Sequence, residues 1–104
     1  MAKTYADQVY QGSVSLTEVI VATISSSQTF IMKGFFVSNN HSDEQHFTLK
    51  IGADTRLAAN HAISANDTTI RDNLHIPIIA GDSIKLYGDT DMDYYIWGIM
   101  ETEA

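Results

Sequence analysis

The sequence contains no cysteine, only one proline, and six glycines that stand singly. The absence of cysteine excludes a disulfide framework, thiolate metal sites and cysteine nucleophiles. The scattered glycines form no phosphate-binding loop, and no Gly-x-Ser-x-Gly nucleophile elbow is present. The sequence therefore gives no positive sign of catalysis, and we expect a protein that is not an enzyme and holds no cofactor.

Basic residues are also few. Six Lys and Arg residues stand against thirteen Asp and Glu residues, which gives a formal net charge of −7. This charge has the wrong sign for attraction to nucleic-acid backbones or anionic lipids. No apolar run approaches the roughly 20 residues of a membrane span, and the N-terminal residues lack the apolar core of a signal peptide. We expect no nucleic-acid partner, no membrane partner and synthesis in the cytosol.

The proportions of apolar and charged residues predict one folded domain. Apolar residues make up 44% of the 104 residues and charged residues only 18%, which is unlike a disordered chain. A chain of this length builds a single core. We assign residues 15–104 to one domain and residues 1–14 to an N-terminal arm or first strand. With Tyr5, Val9 and Tyr10, this segment is too apolar for a simple tail, so we expect it to dock against a protein surface.

Alternation of apolar and polar residues predicts β-strands. In residues 46–51, Phe47, Leu49 and Ile51 share one side, as expected of a strand with one buried face. Residues 83–88 repeat the pattern, with Ile84 and Leu86 inward, after the turn sequence Ala-Gly-Asp. A charge at Leu49 is therefore expected to unfold the protein.

Three further segments, residues 18–24, 29–39 and 94–100, are apolar on both faces, which is typical of strands that lie between layers or against a partner. Residues 56–67 are interpreted as a short strand and a loop, and Pro77 suits the edge of a sheet. About eight short strands separated by turns predict an all-β fold, a two-sheet antiparallel β-sandwich that is jelly-roll-like.

Two acidic or histidine-rich segments are weighed as metal sites. Asp89, Asp91 and Asp93 alternate like the start of a calcium loop, but the Gly and Glu that such a loop needs later are replaced by Tyr94 and Met100. We expect a polar hairpin tip and keep the three aspartates as weak calcium candidates.

The four histidines give a second metal hypothesis, a cupin-like metalloenzyme. His41 and His46 lie five residues apart, which is not the spacing of a cupin histidine pair, and His61 and His75 are distant in sequence. A solvated turn is favoured over a metal site for residues 41–46, so no metal is expected.

Aromatic residues cluster near the C-terminus and have two interpretations. They contribute to the core or to a subunit contact, or they stack on sugar rings from an exposed sheet face. We favour the first and expect six residues to form an interaction surface: Tyr5, Val9, Tyr10, Tyr94, Tyr95 and Trp97.

Four segments carry a family resemblance that runs from about Thr17 to the end of the chain. They read TISSSQTFIMKGFFVSNN, FTLKIG, IIAGDSIKLYG and YYIWGIME, in this order. Their strand and turn pattern resembles a group of small bacteriophage virion proteins with a jelly-roll or similar β-sandwich fold. Relatives often have Pro-Ala-Gly where this chain has Ser25, Ser26 and Ser27.

The resemblance implies a structural role in a virion. The resemblance allows a protein that coats the capsid or a tail or baseplate component, and we favour a capsid decoration or cement protein because a single domain of this size suits repetitive binding on a lattice. The implied partners are the major capsid protein or other virion proteins, and the implied location is the virion after synthesis in the host cytoplasm. Because closed symmetric contacts would hide the strands that are apolar on both faces, we also expect the chain to form a dimer or trimer. A carbohydrate-binding β-sandwich module is the alternative.

Overall fold

The fold is described by a computed structural model that covers residues 2–53 and 55–103. Its regular structure consists of strands, and none of these residues forms a helix long and apolar enough to cross a membrane. The strands are β1 (Lys3–Ser13), β2 (Val19–Thr23), β3 (Gln28–Asn39), β4 (Gln45–Ile51), β5 (Thr55–Ile63), β6 (Thr68–Arg71), β7 (Ile76–Ile79), β8 (Ser83–Gly88) and β9 (Met92–Glu103).

The strands form two antiparallel sheets that pack face to face. Sheet A has the order β1-β9-β3-β6, with β7 pairing with β3 beside β6. Sheet B has the order β2-β8-β4-β5. The predicted all-β, two-sheet antiparallel sandwich is therefore confirmed. The segment 56–67 divides between β5 and the turn before β6, and Pro77 lies in β7 at the edge of sheet A, opposite Ile31.

The core lies between the two sheets, as the alternation predicted. Phe47, Leu49 and Ile51 of β4 are buried, as are Ile84 and Leu86 of β8. Sheet A covers them with buried side chains from its two central strands, β3 and β9, and from β7: Phe30, Met32, Phe35, Val37, Ile78, Met92 and Ile96. Because each large side chain contributes roughly 1.5–3 kcal/mol when buried, this layer dominates the stability of a small domain.

A β-bulge in β3 decides which of its side chains reach the core. Met32 pairs with Gly98 of β9, but the next partner, Trp97, pairs with Gly34, so Lys33 is an extra residue. The bulge shifts the alternation by one. As a result Phe35 is buried in the core and Phe36 points to the outer face of sheet A.

The buried side chain of Asn39 links the two sheets by hydrogen bonds at one end of the sandwich. The side-chain amide of Asn39, at the end of β3, donates to the carbonyl oxygens of Asp43 (2.9 Å) and Ile63 (3.0 Å). It also donates to the carbonyl of Ser64 at 3.2 Å, and its oxygen accepts from the N–H of His41 at 2.9 Å. The side chain is 1% exposed, so these bonds offset its desolvation and link sheet A to sheet B.

Strand β1 is held by one neighbour. It pairs with β9 without interruption from Lys3↔Glu103 to Ser13↔Asp93, and the Lys3 ammonium lies 3.0 Å from the Glu101 carboxylate. That hydrogen-bonded ion pair raises the pKa of Lys3. Nine of the eleven residues of β1 are exposed. The N-terminal segment is thus a strand whose outer edge and most of whose side chains face solvent.

Substitution of Leu49 tests the buried layer. Leu49→Ala should lower the free energy of unfolding by about 2–5 kcal/mol. Leu49→Asp should abolish folding, because a carboxylate with no partner would replace a side chain that is 1% exposed. Ile20→Asp is the matched control in the same sheet, since Ile20 is 58% exposed, and it should change stability by less than about 1 kcal/mol. Urea unfolding followed by circular dichroism measures all three, and a folded Leu49→Asp variant would contradict the assignment.

Candidate interaction surface

The most distinctive surface of the molecule is an aromatic cluster on the outer face of sheet A. Phe36 of β3 stacks on Tyr95 of β9, with ring centroids 5.3 Å apart and planes inclined by 7°. Trp97 lies two residues further along β9, 6.1 Å from the Tyr95 ring and 6.5 Å from the Phe36 ring. We call Phe36, Tyr95 and Trp97 the outer aromatic cluster. All three side chains are partly exposed.

The backbone of β3 makes room for the tryptophan. Trp97 pairs with Gly34, and its ring lies directly over this glycine: a Cβ built at Gly34 would stand 2.2 Å from Cζ2 of Trp97 and 2.7 Å from the backbone oxygen of Arg71. Any side chain at position 34 would therefore displace the ring. The bulge and the glycine together leave space for the indole against the backbone of β3.

Apolar residues of neighbouring strands extend the cluster. Val9 of β1 pairs with Trp97 and is 38% exposed, and Ile70 of β6 pairs with Phe36 and is 58% exposed. Tyr5, 62% exposed, continues the same face toward the start of β1. The outer face of sheet A thus carries an apolar surface that runs across four strands, which is the kind of patch that marks interaction sites.

Four of the six residues predicted for an interaction surface come together on this face: Tyr5, Val9, Tyr95 and Trp97. Tyr10 and Tyr94 alternate with them and lie on the inner face, where the Tyr10 ring meets Phe30 edge-on at 5.3 Å. Burial raises the pKa of both Tyr10 and Tyr94. Tyr10 and Tyr94 therefore pack against the core, and the four outer residues stay the predicted interaction surface.

Sequence reasoning missed Phe36 and Gly34. A strict alternation through β3 would have placed Phe36 on the same side as Phe30, and only the bulge at Lys33 turns it outward. The adjacent pair Phe35-Phe36 was the available signal, because two consecutive aromatic residues in a strand point to opposite faces.

The three aspartates weighed for calcium take separate positions at one end of the sandwich. Asp89 accepts a hydrogen bond from the N–H of His46 at 2.8 Å. The two oxygens of Asp93 accept from Ser13 Oγ (3.1 Å) and Asn40 Nδ2 (3.0 Å). Asp91 occupies the turn with a positive φ of 58°. Within residues 2–53 and 55–103, no three His, Asp or Glu side chains are grouped in a way that could hold a metal ion.

The four histidines have unrelated surroundings. His41 lies 3.7 Å from Asp43 and 3.9 Å from Asp91, while His46 lies 3.5 Å from both Glu44 and Asp89. The other two make no acidic contact of this kind in the described part of the chain. The ring of His61, in β5, meets Phe47 edge-on at 5.6 Å, and Nδ1 of His75, in the loop before β7, accepts from Lys33 Nζ at 3.0 Å. No common centre brings the four together.

Comparison with known proteins places this geometry in a fold class. No protein-family model and no curated protein sequence matches the chain. A solved structure from Bacillus endospore appendages, a family of disulfide-linked pili, is similar with a TM-score of 0.58 and 11% identity, over 98% of this chain and 89% of that one.

Two structures of infectious bursal disease virus are also similar. A chain of the T13 viral particle matches with a TM-score of 0.55 and 14% identity, over 95% of this chain and 30% of that one. A chain of the Gx strain matches with a TM-score of 0.53 and 11% identity, over 98% and 33% respectively. The chain thus spans about a third of these virus proteins, and at such identities the likeness shows the fold alone, a two-sheet, jelly-roll-like β-sandwich.

The glycine beneath the tryptophan can be tested by substitution. Gly34→Ala should lower the free energy of unfolding by about 1–3 kcal/mol and shift the fluorescence of Trp97, the single tryptophan, because the ring must move. The same substitution in a Trp97→Ala background should cost less, since only the contact with the Arg71 oxygen is left. Equal costs in both backgrounds, measured by urea unfolding, would show that the ring does not rest on Gly34.

Proposed function

We propose that this protein is a structural component of a bacteriophage virion, and specifically a capsid decoration or cement protein that binds the shell and stabilises it. The observation that carries the proposal is the outer aromatic cluster, a partly exposed apolar surface on a rigid sheet. Aromatic side chains are enriched in the contacts that dominate protein interfaces. A tail or baseplate component would use the same surface.

The surroundings of the cluster favour a protein partner. Val9 and Ile70 enlarge the surface with aliphatic side chains, which contribute to interfaces through burial. The rim nearby carries the charged pair Lys3 and Glu101, as is usual around an apolar interface centre. The net charge of −7 argues against nucleic acid as the surface that is covered.

The architecture supports an assembly role in a second way. The similar solved structures are parts of a pilus and of virus particles, and they share the β-sandwich fold with this chain. Fold likeness does not carry function by itself. The support comes from the combination of this fold with the outer face of sheet A, which gives a small domain a large contact surface suited to repetitive binding on a lattice.

Particle composition is the direct test. Phage particles released from cells that carry this gene are purified on a density gradient, heads and tails are separated, and each fraction is examined by mass spectrometry. The chain should be present in many copies in the head fraction, and particles without it should break at a lower temperature. Recovery in the tail fraction alone would contradict decoration of the capsid, and absence from all particles would contradict a virion role.

Side-chain truncation tests the contact surface. Tyr95→Ala and Trp97→Ala should each weaken binding to particles that lack the chain by about tenfold or more, as expected for central aromatic contacts. Tyr87→Ala is the matched control, because Tyr87 lies on the outer side of sheet B, and it should bind within about twofold of the wild type. Thermal unfolding confirms that each variant is folded. Equal losses for Tyr87 and Tyr95 would contradict the assignment of the surface.

A carbohydrate-binding role is the second candidate, and one depression favours it. It has a volume of about 350 Å³ beside the outer aromatic cluster, and its lining combines the rings of Phe36 and Tyr95 with the polar groups of Gln11, Ser13 and Asp93. Aromatic rings flanked by hydrogen-bonding groups suit the apolar face and hydroxyls of a sugar.

A glycan array decides between the two candidates. If the depression binds sugar, the wild type should bind at least one glycan on the array, and Tyr95→Ala should not. Glycan binding that a chelator removes would implicate calcium, for which Asp89, Asp91 and Asp93 are the candidates from the sequence. No binding to any glycan, with or without calcium, would leave the protein partner as the only occupant of this face.

A further inference from the structure

The edges of the two sheets differ in how they are protected. Natural sheets prevent unwanted pairing at an exposed edge with short strands, bulges, proline or charge. In sheet B, the edge strand β2 has only five residues and a register shift between Ile20 and Ala22. The other edge, β5, pairs with β4 through two register shifts and contains Asn60 with a positive φ of 46°.

One edge of sheet A is protected in the same way. Two four-residue strands, β6 and β7, share the side of β3 and are separated by a turn in which Asn73 has a positive φ of 55°. Pro77 removes a backbone donor from β7. None of these three edges offers a long, regular row of donors and acceptors.

The remaining edge, β1, has none of these structural interruptions. It runs for eleven residues in continuous register with β9, without a bulge and without proline. Its charges are confined to the first half: Lys3 is engaged by Glu101 at 3.0 Å, Asp7 follows, and residues 8–13 are uncharged. A long, regular and largely uncharged edge is a template for strand addition.

We propose that β1 pairs antiparallel with β1 of a second copy of this chain, across a two-fold axis, so that the two A sheets form one continuous sheet. This inference rests on the assembly role proposed above and names the partner at this edge. We assign this edge to a second copy of β1 because a two-fold contact brings the same surface of both copies together, so that surface must be complementary to itself. An antiparallel pair of two regular β1 strands meets this requirement, since each strand offers donors and acceptors along its free edge.

Charge selects a register for this pairing. Centred on Gln8, the two strands pair all eleven residues, and Lys3 faces Ser13 of the second copy while Asp7 faces Val9. No like charges are then directly opposed. Centring the axis one residue earlier would oppose Asp7 to Asp7, which is destabilising. The full-length register therefore joins the most backbone groups without a charge conflict.

The pairing would also arrange the outer aromatic clusters. A two-fold axis perpendicular to the sheet keeps the outer faces of both copies on the same side. The dimer would present two copies of Tyr95 and Trp97 to one partner surface. Two linked contacts bind a lattice far more tightly than one, because the second contact forms within the same complex.

Single cysteines test the register directly, since the chain has no cysteine of its own. In Gln8→Cys the two thiols would face each other at the axis, with Cβ atoms about 5 Å apart, and mild oxidation should give mostly disulfide-linked dimer. In Thr4→Cys, on the same face of the same strand, they would stand about 26 Å apart and should not link. Equal linking of both variants, or linking of Thr4→Cys alone, would overturn the register.

The dimer dissociation constant is measured without any cross-link, on the wild type and on two variants of Gln8. Light scattering should show a dimer, and Gln8→Asp, which opposes two carboxylates at the axis, should raise the dissociation constant by about tenfold. Gln8→Asn is the control and should leave the constant within about twofold. A wild type that stays monomeric at high concentration would overturn the inference.

The two proposals fail separately. A monomer that is nevertheless recovered in virions removes the edge pairing and leaves the virion role. A dimer that is absent from virions removes the virion role and leaves the edge pairing as a property of the chain.

Discussion

The structure depends on one constraint: strands β3 and β9 are apolar on both faces, but residues 2–53 and 55–103 provide only one other sheet to cover them. Sheet B covers the inner face, where Phe30, Phe35 and Ile96 are buried. The outer face keeps Phe36 and Trp97 partly exposed. Within the described residues no third layer covers this face, so the apolar surface that is left becomes the feature available for binding.

The bulge in β3 shows how one extra residue serves both faces. By inserting Lys33, it sends Phe35 into the core and Phe36 outward, and it sets Gly34 beneath Trp97. The core gains an aromatic side chain, and the outer face gains a tryptophan whose ring packs against the backbone at Gly34. Stability and interaction surface are thus coupled through the same backbone irregularity, which is a common use of bulges.

The sheet edges and the polar end of the sandwich have different roles. At the end, the Asn39 amide donates to the backbone carbonyls of Asp43 before β4 and of Ile63 and Ser64 at the end of β5, and within the described residues no buried side-chain nitrogen or oxygen lacks a hydrogen-bond partner. Asp89 and Asp93 take part in loop hydrogen bonds there. The end is therefore held together by hydrogen bonds between its own loops, whereas the outer face and the β1 edge are the surfaces for which we propose contacts with other molecules.

The sequence by itself determined the fold class and the main core strands, because the alternation in residues 46–51 and 83–88 has the period of a strand with one buried face. It also identified Trp97 and Tyr95 as candidates for an interaction surface. Only the tertiary structure decided which side of the sandwich each aromatic residue occupies and where β1 pairs. These outcomes depend on the bulge at Lys33 and on contacts between residues far apart in the chain, such as Lys3 with Glu103, and local periodicity carries no information about either.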